Sequence, residues 1–192
     1  MRGLDQHRVS GGKTALAAHG VALVDGGGTN TFRRANAFLS LGYRTAVLRD
    51  SDAPLSATAE ETFRNGGGTI FAWTAGHSIE DELFECLPDT GVDGLLDKAV
   101  EFREETLVKD HIRSASANNI SLDDIRDQIQ RGVIPRETRS LLAKAAKSGS
   151  GWFKTVSAME RTARDVIGPT FANATGDFRA KVLAIFRWVR NV

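Results

Sequence analysis

Two aspartates separated by one residue, Asp50 and Asp52, are the side chains in this sequence best placed to do chemistry. They follow the apolar run at residues 43–48, which reads as a strand. That puts them where open α/β sheets gather their ligands, at the carboxyl ends of the strands. Side chains along a strand repeat with a period of two, so both carboxylates point to one side while the strand geometry persists. Two such charges repel unless a cation or hydrogen bonds offset them. A hard divalent ion with oxygen ligands, Mg²⁺ or Mn²⁺, is the natural partner. The plainer alternative is a polar loop whose aspartates cap a helix.

A second acidic group, Glu80-Asp81-Glu82, follows a further strand at residues 69–73 and opens a helix. Acidic residues are favoured in any first helical turn by the helix dipole. The ends of adjacent parallel strands lie side by side, so the two acidic groups are able to converge. Four carboxylates around one pocket suit two-metal phosphoryl transfer. Lys154, in Gly151-Trp152-Phe153-Lys154, is a lone cation between apolar neighbours, either a snorkelling surface lysine or a phosphate contact.

The elements that must position these residues alternate in type over the first part of the chain. Residues 21–24 form a short apolar run closed by Asp25-Gly26-Gly27-Gly28, read as a strand and a turn. Thr29 or Asn30 then caps a helix in which Phe32, Ala35, Phe38 and Leu39 recur at helical spacing up to Gly42. Pro54 ends the ladder of the next strand, and Ser56 or Thr58 starts a helix that stops near Gly66-Gly67-Gly68. Strands alternating with helices predict parallel β-α-β units. After about residue 78 only helices are read, over residues 79–87, 94–106, 122–130, 136–147, 155–167 and 178–189. Ser148-Gly149-Ser150-Gly151 reads as a flexible joint.

Composition narrows the function classes. Of 192 residues, 41% are hydrophobic and 26% charged, the balance of a globular protein. A net charge of +1 argues against a nucleic-acid coat protein. The single cysteine, Cys86, excludes an internal disulfide and a Cys-rich zinc site, and its apolar surroundings read as those of a buried structural thiol. Membrane spans need about 18 apolar residues in a row, and no such run or signal peptide is present, so a cytoplasmic location is the expectation. Ser10-Gly11-Gly12-Lys13-Thr14 fails as a phosphate loop, because His7 stands where the first glycine of that motif is needed and no apolar strand leads in. His77 and His111 lack partners at metal-ligand spacing, and Arg33, Arg34, Arg187 and Arg190 read as solvated helix faces.

Taken in order, the Val-Ala-Leu-Val-Asp-Gly-Gly-Gly stretch at 21–28, the Leu-Gly-Tyr-Arg-Thr-Ala-Val-Leu-Arg-Asp-Ser-Asp stretch at 41–52, Phe71-Ala72-Trp73 with Gly76, and Ile79-Glu80-Asp81-Glu82 resemble the Toprim domain of the overcoming-lysogenization-defect (OLD) family nucleases. Gly151-Trp152-Phe153-Lys154 is similar to the conserved lysine segment of that family's second class. The likeness runs over roughly residues 1–190. It implies an α/β, Rossmann-like parallel-sheet core over residues 1–110 and a helical extension over 111–192 that carries the Trp-Phe-Lys segment. It implies metal-dependent cleavage of DNA phosphodiesters with Mg²⁺ or Mn²⁺, and an ABC-type ATPase domain on the same chain. By the family pattern Asp50 and Asp52 would bind one metal, Glu80 and Glu82 would complete the ligand set, and Lys154 would steady the scissile phosphate. Asp50 and Lys154 are thus the expected catalytic residues.

The family also carries a Glu-Gly-x-x-Glu segment on its first strand, ahead of the stretch that resembles Met1-Arg2-Gly3-Leu4. The expected core therefore lacks that strand, the expected cleavage is impaired, and the exposed strand edge is expected to drive homo-oligomerisation. Two other readings compete. Gly26-Gly27-Gly28 followed about twenty residues later by Asp50 is close to a dinucleotide-binding turn with a ribose-binding acid, as for NAD, although Thr31 holds the third glycine position. The other is a non-catalytic remnant that binds DNA or a partner chain.

Overall fold

The computed structural model describes residues 1–52 and 56–190. Pro54, expected to end the second strand's ladder, lies outside them. The chain is α/β with mostly helices: helix α1 (Arg2–Ser10), α2 (Thr31–Ser40), strand β1 (Ala46–Arg49), α3 (Ala57–Asn65), β2 (Thr69–Ala72), α4 (Ile79–Cys86), α5 (Asp89–Arg103), α6 (Glu105–Ala115), α7 (Leu122–Gln130), α8 (Arg136–Lys147), α9 (Val156–Thr162), the single turn α10 (Gly168–Thr170) and α11 (Gly176–Arg190). A π-helical segment, Ala163–Ile167, joins α9 to α10.

Among the described residues the sheet has two strands, β1 and β2. They are parallel, with Val47 opposite Ile70 and Arg49 opposite Ala72. Helix α3 makes the crossover, and Ser56 caps it by accepting a hydrogen bond from the Ala59 amide. The β-α-β unit expected from the alternating pattern is present, but the strand expected at residues 21–24 is not. That segment is irregular, although Val21 and Leu23 pack against the core while Ala22 and Val24 face outward. The period-two pattern survives without a ladder, because a strand needs a neighbouring backbone to bond and none lies beside it among the described residues.

Two helices were not legible from periodicity. The opening residues form α1, whose buried residues are only Gly3 and Leu4. A Cβ on Gly3 would lie 2.0 Å from the Glu160 carbonyl oxygen, so α1 packs against the α9 region through a bare backbone that no hydrophobic pattern announces. The helix read at 94–106 ends at Arg103, because Glu104 adopts a left-handed backbone with φ of 66°, and α6 starts afresh from it. The helices expected at 122–130 and 136–147 have those same bounds.

The main core runs from Leu4 to Val189, so residues 1–110 and 111–192 bury their apolar faces in common. A smaller cluster, Phe32, Ala35, Val47 and Phe63, fills the space between α2, α3 and β1. Residues 148–151, expected as a flexible joint, form a tight turn fastened by Gly151 N–H to Ser148 O at 2.9 Å and Trp152 N–H to Ala146 O at 2.8 Å. No helix among the described residues is long and apolar enough to cross a membrane.

Candidate metal and phosphate site

Asp50 follows β1 directly, and the turn it opens is laced to the loop after β2. Ser51 N–H donates to His77 O at 2.8 Å, Gly76 N–H to Ser51 O at 3.3 Å, and the Ser51 hydroxyl to Trp73 O at 2.9 Å. Arg49 braces the other side by pairing with Glu60 of α3 at 2.9 Å. The amide of Ile79, first residue of α4, donates to Asp50 Oδ1 at 3.0 Å. A carboxylate at a helix N-terminus is favoured by the free amides and by the dipole.

Helix α4 spreads its three acids over three directions, since residues two apart on a helix lie on opposite faces. Glu80 lines a cavity of about 610 Å³ together with Asp50, Asp52, Lys147, Lys154 and Glu160. Asp81 closes a capping box with Ser78, accepting from its amide at 2.8 Å and its hydroxyl at 2.9 Å, and it pairs with Lys147 at 2.7 Å. Glu82 turns away from the cavity. Its carboxylate is 1% exposed, accepts the Thr74 amide at 2.5 Å, and has His77 Nδ1 at 3.5 Å and Lys181 Nζ at 3.9 Å. The structure thus brings together Asp50, Asp52, Glu80 and Lys154, and gives Glu82 a bracing role between α4, the loop after β2, and α11. Cys86, one turn on, is half-buried with Sγ 3.8 Å from Glu82, and burial first and that charge second push its thiol up.

Lys154 reaches the cavity because its flanks are fixed. Trp152 and Phe153 are 0% and 1% exposed, and the Trp152 indole donates to His111 Nδ1 at 3.1 Å. Gly151 has φ of +66°, and a Cβ there would press on the Lys154 stem at 2.6 Å. Only glycine allows both the turn and the lysine lying across it.

The cavity is of mixed charge: Asp50, Asp52, Glu80 and Glu160 line it together with the chain-terminal Met1, Arg2, Lys147 and Lys154. Burial, then the charge of Glu80, then that of Asp52 raise the Asp50 carboxyl above its ordinary value, against the pull of the Ile79 amide. Glu80 is 6% exposed, and among the described residues it makes no hydrogen bond or ion pair. Asp52 is exposed and likewise makes none among them. Three hard oxygen donors facing one cavity fit Mg²⁺ or Mn²⁺. No three His, Cys, Asp or Glu side chains among the described residues stand close enough together to hold one ion.

A second cavity, of about 600 Å³, shares Asp50 and Asp52 and is lined beyond them by Gly26, Gly27 and Gly28. The dinucleotide pattern needs a strand leading into such a turn, and the segment before it is irregular. Lys147, which sequence reasoning missed, stands at the cavity as well. Its signal was faint, a basic residue in the last turn of a helix, where the dipole favours it anyway. No family model, curated protein or solved structure matches the chain.

Proposed function

We propose that the chain is the metal-binding part of a Toprim-type nuclease domain of the OLD family, cleaving DNA phosphodiesters with Mg²⁺ or Mn²⁺ and working with an ABC-type ATPase domain. One observation carries the reading. Glu80, largely buried as a residue and with no hydrogen bond or ion pair among the described residues, lines one cavity with Asp50, Asp52 and Lys154. Like charges gathered at one cavity repel, and a bound cation offsets that repulsion. Lys154, some 70 residues further along the chain, puts a cation at the same cavity, which suits a doubly bonded phosphate oxygen or its neighbours.

Asp50, Asp52 and Glu80 would hold the ion, which supplies charge stabilisation for the phosphate and acidifies bound water. The Ile79 amide orients Asp50, and Lys154 binds and steadies the phosphate through its ammonium group. In the hydrolysis a water oxygen bonds to phosphorus, the ester bond to the sugar oxygen breaks, and the leaving oxygen ends with the proton. Glu82 is not in this ligand set. Calorimetric titration with Mn²⁺ tests the reading: the unaltered chain binds, and Asp50→Ala loses binding. Equal affinity in the two proteins removes the reading.

A further inference from the structure

We infer that Lys147 is a positioning residue for the Asp50 site, acting through Asp81 and the first turn of α4; the metal-affinity part of this inference rests on the function proposed above. The connection is continuous in the structure. Lys147 Nζ lies 2.7 Å from both oxygens of Asp81. Asp81 Oδ2 takes the Ser78 amide and hydroxyl, which fixes the capping box. The next amide, that of Ile79, donates to Asp50 Oδ1. Each link constrains the one after it, so the lysine on α8 sets where the α4 amide meets the aspartate at the end of β1.

The grip works because α8 clamps α4 at both ends. Arg139 donates to the carbonyls of Phe84 at 2.7 Å and Leu87 at 2.8 Å and pairs with Asp89, satisfying the acceptors left free at the C-terminus of α4. Lys147 lies two turns further along α8, about 12 Å at 1.5 Å per residue, which equals the length of the eight-residue α4. With both ends held, α4 cannot slide along its axis or rotate about it without breaking one clamp. That matters at its N-terminus, where a rotation of α4 would carry Glu80 away from the cavity.

Two variants test it, Lys147→Met, which keeps the stem and removes the charge, and Lys147→Arg, which restores a cation able to reach Asp81. In the metal-free protein, amide hydrogen exchange followed by NMR is expected to be at least tenfold faster at Ile79 in Lys147→Met, with Val182 in the core of α11 unchanged. Lys147→Arg is expected to return Ile79 to the unaltered rate. Mn²⁺ affinity, measured without DNA, is expected to fall about tenfold in Lys147→Met and to recover in Lys147→Arg, the size seen when groups that orient ligands are removed. Equal acceleration at Ile79 and Val182 would mean global destabilisation and overturns the inference. So does an unchanged Ile79 rate, which is the outcome if Lys147 touches only substrate phosphate. Should the unaltered chain take up no Mn²⁺, the metal reading fails alone, and the exchange rates still decide the positioning role.

Discussion

Glu80→Gln is the substitution that separates a metal ligand from an ordinary helix acid. Glutamine keeps the shape and the hydrogen-bonding reach of the side chain and removes only its charge. In the metal-free protein Glu80 is 6% exposed as a residue, its carboxylate lacks a partner among the described residues, and its charge helps raise the Asp50 carboxyl. Removing the charge relieves its repulsion with Asp50 and Asp52, so in EDTA the variant is expected to be at least as stable as the unaltered chain. Mn²⁺ is expected to reverse the trend. At free Mn²⁺ of about 100 times Kd, binding stabilises the unaltered chain by about 2.7 kcal/mol. A variant with affinity weakened tenfold gains about 1.4 kcal/mol, and one weakened a hundredfold about 0.4 kcal/mol. The variant's advantage should therefore shrink by about 1.3–2.3 kcal/mol when Mn²⁺ is added. The assay is urea denaturation of both proteins at one pH, in EDTA and in Mn²⁺, with the Mn²⁺ affinities measured separately. A stability gap that is the same in both conditions, or a variant less stable in EDTA, refutes the reasoning.

Three further outcomes follow from the same geometry. Because the Asp50 carboxyl is raised above its ordinary value and must be ionised to bind a cation, Mn²⁺ affinity is expected to weaken on acidification earlier than at an ordinary aspartate; affinity equal at every pH at which the chain stays folded would contradict this. The sign for the metal-free fold is opposite, since a raised carboxyl costs stability as pH rises through its value. Trp152→Ala is expected to cost about 3–5 kcal/mol by chemical denaturation, because the indole is fully buried, packs edge-on to Phe84 and donates to His111; a cost under about 1 kcal/mol would show that the Lys154 segment is not anchored as described. Among the described residues β1 pairs on one side only, so light scattering is expected to show mass rising with concentration, and a single monomeric mass throughout would count against an open edge.

Much of the local structure was legible because it is decided locally. Ser56 before an apolar-periodic run caps α3, and Arg136 to Lys147 carry their own helical pattern and basic last turn. The alternation of residues 43–48 and 69–73 with intervening helix foretold a parallel pair, and the strands came out shorter because only Ala46–Arg49 and Thr69–Ala72 find each other's backbone. Residues 21–24 carry an equally apolar run and form no strand, since a ladder is a property of two segments and the sequence of one does not supply the other. Helix α1 was invisible for a related reason. Its contact is the absence of a side chain at Gly3, and absence has no periodicity.

The sequence by itself determined the chemistry on offer: acids after a strand, acids opening a helix, and a lysine behind two large aromatics. It put Glu80 and Glu82 together in the expected ligand set, whereas α4 sends residues two apart to opposite faces. What it left open was which of them meets Asp50. That was decided by tertiary structure alone, through the rotation at which α8 holds α4 by Arg139 at one end and Lys147 at the other. The rotation sends Glu80 to the cavity, Asp81 to Lys147 and Glu82 to the Thr74 amide. Rotation of a helix about its axis is set by side chains far away in sequence, and no pattern within the helix records it.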